Sequence, residues 1–244
     1  VDPIFYNVVS GAERTMYAQH ARANNIANAS TVGFRALMEF TTPQTIEGDG
    51  FEGSATTRTN LAMNSFAVGA MMKTDNPLNV ALDNQGFIAV QGLEGEPEEL
   101  YTRAGDMVLN DEGEVTIGGR SVLTEDGPLV LPLYQSIQVS NDGVVSVVAP
   151  GDADGQEVAA LKLVNPTNSE VTLDRSGLFR SLTGEPLDAA DDVTMRSGFL
   201  EGSNVSVIEE LTGMLKLSRQ FEVNVKMMVA AQDIGRAGNE VMQA

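Results

Sequence analysis

The sequence predicts an α+β protein whose N- and C-terminal helices pair as a coiled-coil or tube domain around a central all-β domain of short strands. Three observations carry that reading. Apolar and small residues recur at three- and four-residue steps near both ends of the chain. Between the ends, apolar and polar residues alternate in short runs separated by glycine turns. At 244 residues and 42% hydrophobic content, the chain can bury a substantial core.

The first element covers residues 1–40. Asp2-Pro3 reads as a helix start, with Asp as the cap and Pro in the first turn. The stripe then runs through Ile4, Val8, Gly11, Thr15, Ala18, Arg22 and Asn25. It ends in "ANNIANASTVGFR" at 23–35, where Asn24, Asn25 and Asn28 fall within five positions. Asparagine is a poor helix former because its amide competes for nearby backbone groups. Such a cluster therefore needs a reason.

Residues 41–74, rich in Thr, Gly, Ser and Asn, read as an extended, largely irregular linker. A stretch of that length is uncommon inside a compact domain and makes better sense held by another chain.

Residues 75–200 read as the β domain. "IQVSNDGVVSVV" (137–148) is a hairpin pattern around Asn-Asp-Gly. Segments 106–123 and 77–92 repeat the scheme with Gly113 and Gly86, and 159–165 and 177–182 add short strands. The expected core is Val80, Leu82, Phe87, Ile88, Val90, Val108, Val115, Ile117, Val139, Val147, Leu161 and Leu163.

Residues 201–244 hold the C-terminal helix, read from about 205 to 240. Its seam is Val207, Leu211, Met214, Ser218, Phe221, Val225, Met228 and Gln232, a heptad spacing widened by Ile208, Leu215 and Met227. Ser203 or Asn204 would cap it, and Glu209 and Glu210 suit its first turns.

Neither terminal helix has enough apolar surface to fold alone in water. Either the two pair within one chain, or they bundle with copies from neighbouring chains. The small and polar residues Gly11, Ala18, Asn25, Ser218 and Gly235 fit close packing among many helices. A different class, a secreted β domain that binds a ligand or carbohydrate through helical oligomerising arms, would place its apolar surface in a cleft of the β domain.

Charge and composition exclude several functions. A net charge of −19 with 15 Lys+Arg argues against nucleic acid and against an anionic membrane surface. Without cysteine there is no disulfide, thiolate metal site or cysteine nucleophile. No apolar run approaches the roughly 20 residues of a membrane-spanning helix, and the N-terminal segment lacks the pattern of a secretory signal peptide. His20 is the single histidine, placed mid-helix with no marked nucleophile. "GDADG" (151–155) lacks the spacing of a calcium loop, and the acidic clusters at 94–99 and 188–192 read as solvated loops. The eleven methionines include Met214, Met227, Met228 and Met242, adaptable surface for helix contacts. No catalytic, cofactor or metal residue is expected, so the chain reads as a non-enzyme.

The segment "ANNIANASTVGFR" resembles the N-terminal signature of bacterial flagellar axial proteins, the rod, hook and hook-associated subunits: Asn-Asn-(Leu/Ile)-Ala-Asn, then Thr-x-Gly-Phe-(Lys/Arg). "NPLNVALDNQGFIAVQ", "YTRAGDMVLNDEGEVTIGGRSVL", "GPLVLP" and "SGFLEGSNVSVIEELTGMLKLSRQFEVNVKMM" resemble further family segments, in the family's order. The short middle suits a rod subunit rather than the larger hook protein. "RSGLFRS" and "PGDADGQEVAALKLVN" are most similar to the proximal-rod branch, with the distal rod as runner-up. The tail "AAQDIGRAGNEVMQA" departs from the family with two glycines, which bear on the last two helical turns.

The resemblance implies a structural subunit of the basal-body rod crossing the periplasm. It implies export unfolded through the flagellar type III apparatus without a cleaved leader, and assembly with copies of itself and other rod subunits. Terminal helices would line an inner tube, and a non-closing interface would generate a filament. The expected interface residues are Ile4, Val8, Asn24, Asn25, Asn28, Gly33, Phe34, Val207, Leu211, Met214, Phe221, Val225 and Met228. The asparagine amides, each both donor and acceptor, would fix register between packed helices. Gly33 would supply a positive-φ turn, and Phe34 would plug into apolar surface.

Overall fold

The computed structural model describes residues 3–45, 55–151, 154–174 and 176–243, with the side chains of 3–7, 39–45, 55–63 and 238–243 outside the description. The chain forms two compact units. The first comprises Val1–Ala29, Leu37–Met63 and Val205–Ala244, the second Ser30–Ala36 and Asn64–Asn204.

The first unit is built on two helices, α1 (Pro3–Ala27) and α2 (Val207–Gln243), which pack against each other. Their pairing is antiparallel: Gly11 of α1 lies beside Asn224, while Arg22 and Asn25 reach Glu210. The covered face of α1 includes Val8, Thr15, Ala18 and Asn25, the stripe expected from sequence. The Asp2 cap lies outside the described residues, as do the side chains of Ile4 and Met242. The α2 helix starts at Val207, so neither Ser203 nor Asn204 flanks its first residue. It also runs on through Gly235 and Gly238 to Gln243. An isolated glycine costs a helix only about 1 kcal/mol relative to alanine, too little to stop α2.

The described residues of 41–74 are largely strand rather than irregular linker. Strands Leu37–Thr45 and Ala55–Asn64 form a two-stranded sheet, and Met71–Lys73 pairs with Phe199–Glu201. The Thr residues that suggested a loop also suit extended backbone.

The second unit is all β. Its largest sheet has five strands in the order Leu163–Val164, Phe87–Gln91, Glu99–Thr102, Phe179–Ser181, Val171–Leu173. Alternate side chains of this sheet enter two different cores. Ile88, Val90 and Leu100 join the larger core with Val115, Ile117, Val139, Val147, Leu161, Leu163 and Met195. Phe87, Ala89 and Tyr101 join a smaller one with Val164 and Phe179. There Phe66, Phe87 and Phe179 meet edge to face, with centroids 5.0–5.9 Å apart. With both faces covered, strand 87–91 reads as a continuous apolar run rather than an alternating one.

The hairpin at 137–148 forms as expected: Ser136–Val139 pairs with Val144–Val148, and Gly143 takes φ +82° in the turn. Segment 77–92 is not a hairpin. Val80–Leu82 pairs with Met195–Ser197, and Phe87–Gln91 pairs with Glu99–Thr102. Gly86 is small for a packing reason, since a Cβ there would lie 2.3 Å from the Val193 side chain. Val108 is the one expected core residue that is exposed, at 61%. It sits opposite Thr116 on the outward face, and Met107 is buried instead.

Candidate functional site

Two constellations of polar side chains stand out, one in each unit. In the helical unit the buried seam between α1 and α2 is largely small or polar. Asn25 is 1% exposed. Its Oδ1 accepts from Leu37 N at 2.8 Å and its Nδ2 donates to Leu37 O at 3.0 Å, so one amide brackets both polar groups of the first strand residue. The same Nδ2 donates to Glu210 Oε1 at 3.1 Å, and Arg22 pairs with Glu210 Oε2 at 2.9 Å. Glycine at 213 leaves room for Arg22 over α2; a Cβ there would fall 2.3 Å from its guanidinium as placed. Further along, Thr15 Oγ1 donates to Gly11 O at 2.8 Å and faces Asn224 Nδ2 at 3.5 Å. These groups link α1 to α2 at two levels of the pair.

Asn28 has another task. Its backbone N–H and its Nδ2 both point back to Asn24 O, at 3.1 and 3.0 Å, which closes the C-terminal turn of α1. Asn24 is exposed. The three clustered asparagines therefore divide into a bracket, a helix end and an exposed position.

The apolar side chains of α2 are distributed differently. Met214, Phe221 and Met228 are half-buried, with Leu217 and Ala231 on the same face. Val207, Leu211, Leu215, Val223, Val225, Met227, Val229 and Ile234 remain exposed, as does Ile208 at 79%. A helix that is apolar on every side is normally buried on every side.

In the β unit, three sequence motifs meet at one carboxylate. Glu201, of "LEGSN", is fully buried. Its Oε1 accepts from Arg35 Nη2 at 2.6 Å and from Gly69 N at 2.7 Å, and its Oε2 accepts from Arg103 Nε at 2.8 Å. Arg103 also donates to the carbonyls of Leu82, Asn84 and Gly86 and lies 5.8 Å from the centroid of the Phe87 ring. Burial, and then the charge of Arg35, lower the Arg103 pKa to about 10. Arg35 makes its pair through Nη2, and its buried Nε and Nη1 find no partner among the described residues. The node thus holds two guanidinium groups against one carboxylate.

Backbone contacts run alongside. Gly33 N donates to Glu201 O at 2.8 Å, Ala36 N donates to Asn204 Oδ1 at 2.8 Å, and Asn204 Nδ2 donates to Ser65 O and Ala67 O. Gly33 adopts φ +68°, with backbone of Arg103 and Ala104 within 2.6 Å of any Cβ, so no other residue fits there. Phe34 is half-buried, and its carbonyl faces Asn204 N at 3.4 Å. Sequence reasoning reached Gly33 and Phe34 but missed Arg35, Arg103 and Glu201. The signal was present: each sits inside one of the motifs quoted for the resemblance.

His20 is exposed on α1. Among the described residues, no group of three or more His, Cys, Asp or Glu is placed to hold a metal. Asp152 and Ala153 of the "GDADG" loop lie outside the description. A shallow groove of the β unit, about 530 Å³, is lined by Phe66, Ala67, Gln85, Asn165, Pro166, Thr167 and Asn168, a mainly polar set.

Paired terminal helices with uncovered apolar surface are the arrangement of a subunit built for assembly. Comparison with known proteins agrees. The model of the flagella basal body rod protein family matches residues 5–35, and that of the flagellar basal body rod FlgEFG protein C-terminal region matches 196–241. The flagellar basal-body rod protein FlgF of Escherichia coli (strain K12) is 33% identical over 250 residues, covering 99% of both chains. FlgF of Salmonella typhimurium is 34% identical over 255 residues, again 99% of both. FlgG of Bacillus subtilis (strain 168) is 32% identical over 257 residues, covering 94% of this chain and 95% of its own. The chain belongs to the flagellar basal-body rod protein family, and within it is FlgF-like.

Proposed function

We propose that this chain is a structural, non-enzymatic subunit of the flagellar basal-body rod, placed in its proximal part, which polymerises through its terminal helices. The observation that supports polymerisation is the apolar surface of α2: Val207, Ile208, Leu211, Leu215 and Val225 lie uncovered beside α1. At about 25 cal/mol per Å² of apolar surface removed from water, covering these side chains in a bundle is a strong driving force. The α1–α2 pair would then be one piece of a coiled-coil tube, with the helical unit as its wall and the β unit outside it. Partners are copies of this chain and neighbouring rod subunits, and the flagellar type III apparatus delivers it. The distal-rod position is the neighbouring reading, since FlgG relatives align over nearly the same length. A ligand-binding β domain with oligomerising arms is less well supported, because the β-unit groove is polar and the uncovered apolar residues include the run on α2.

The test is the double variant Leu211→Ser/Val225→Ser. Its circular dichroism and the amide protection of its β unit should match wild type, while incorporation into basal bodies and motility are lost. Normal rods built from this variant would overturn the reading.

A further inference from the structure

The β unit has an unusual dependence on its own last residues, and this holds whatever the chain assembles with. Several amides in the N-terminal part of the unit donate to acceptors supplied by residues 194–201. Gly33 N reaches Glu201 O at 2.8 Å, Gly69 N reaches Glu201 Oε1 at 2.7 Å, Thr74 N reaches Gly198 O at 2.8 Å, and Asp83 N reaches Thr194 O at 2.8 Å. Among the described residues, strands 71–73 and 80–82 have no strand partners other than 199–201 and 195–197, although Val80, Ala81 and Leu82 are all buried. Val193 and Met195 complete the larger core. Above all, Arg35 and Arg103 lie 166 and 98 residues from their common carboxylate.

Before Glu201 arrives, closing the unit would bury two like charges with no counter-charge, which is strongly unfavourable. The buried backbone of segments 33–35 and 80–82 would also lack part of its hydrogen-bond partners. By contrast, the hairpins at 137–148 and 108–117 close on themselves, with Ser140 N bonded to Val144 O and Asn110 N to Glu114 O, both at 2.9 Å.

We propose that Glu201 is a closing latch. Segment 193–204 docks late and as one piece, and its docking organises the N-terminal segments 33–36, 69–74 and 80–83 of the β unit in the same step. A chain whose C-terminal segment is held apart therefore keeps its β unit open while its local hairpins form.

Pulsed hydrogen exchange during refolding of the full chain tests this directly. The amides of Gly33, Gly69, Thr74 and Asp83 should become protected together, in the same phase as Gly198 and Gly202. That phase should follow protection of Ser140 and Asn110. Protection of Gly33 or Asp83 alongside the hairpins, ahead of Gly198, would overturn the proposal. The variants give a second readout. Glu201→Gln should slow the late phase by about tenfold or more while leaving the hairpin phase unchanged. Adding Arg35→Met to Glu201→Gln removes one of the two uncompensated cations and should recover part of that rate. An unchanged late phase in Glu201→Gln, or a further slowing in the double variant, would also overturn it.

Discussion

Asn25 occupies the last turns of α1 because an amide there can do what no better helix former could. One side chain matches the N–H and C=O of Leu37 at once and still reaches Glu210. Asn25→Ala leaves these groups without their partner, at a cost of about 1–3 kcal/mol, read as a lower urea midpoint for the helical unit. Asn25→Asp should be worse than alanine. It keeps the acceptor for Leu37 N, loses the donor, and sets a carboxylate against Glu210. Tyr101 offers a pH test in the β unit. Its hydroxyl accepts from Leu187 N at 2.7 Å and donates to Glu99, and burial raises its pKa from 10.0 to about 12. For an acid whose pKa is higher folded than unfolded, the stabilisation is complete below pH 10 and falls away as the pH rises toward 12. Tyr101→Phe should flatten stability over that alkaline window, measured by chemical denaturation at fixed temperature. At this scale the asparagine cluster and Gly33 were legible because they break local rules. Glu201 was not, since a glutamate in a Gly-rich segment looks solvated until distant arginines bury it.

The two helices differ in how much of their packing can be read from periodicity. In α1 the covered residues Val8, Thr15, Ala18 and Asn25 belong to the predicted stripe, and Met16 and Tyr17 lie exposed outside it. In α2 the apolar residues go all the way round, so a heptad can be drawn along more than one face. The predicted seam shares Met214, Phe221 and Met228 with the covered face, but Val207, Leu211 and Val225 fall on an exposed flank while Glu210, Leu217 and Asn224 turn inward. Sequence spacing cannot separate a face used within the chain from one left for other chains, because both are apolar for the same reason. The strands show a similar limit. Local hairpins such as 137–148 are legible from turn chemistry. The pairing of 80–82 with 195–197 is not, because no local signal specifies a partner more than a hundred residues away. Gly213 supplies an element-scale prediction. Ordinarily Gly→Ala inside a helix stabilises by about 1 kcal/mol. Here the new methyl group meets the Arg22 guanidinium, so Gly213→Ala should gain less than that or lose stability. Gly235→Ala, with open space around it, should show the normal gain. Thermal denaturation of the two variants side by side checks the contrast.

Charge is divided unevenly over the whole molecule, and this shapes how it can polymerise. The helical unit carries 7 Lys+Arg against 11 Asp+Glu, a net of −4, while the β unit carries 8 against 23, a net of −15. The unit proposed to meet copies of itself through apolar surface therefore carries little net charge, and most of the self-repulsion of a −19 chain resides in the β unit. Polymerisation would bring like-charged β units into proximity at the same time as it covers the α2 face. The two effects scale differently with salt: repulsion between exposed charges is screened over a Debye length of about 8 Å at physiological ionic strength, whereas burial of Val207, Leu211 and Val225 is not screened. Assembly of the purified chain should thus strengthen as sodium chloride rises from about 0.05 to 0.5 M, a range over which the Debye length falls severalfold. Sedimentation across that range measures it. Neutralising acidic β-unit positions that bond to no basic group among the described residues, such as Glu94→Gln with Glu98→Gln and Glu125→Gln, should move the onset to lower salt without changing the polymer formed. If assembly instead weakened with salt, charge attraction would be driving the contact, and the apolar face of α2 would not be the surface that joins the subunits.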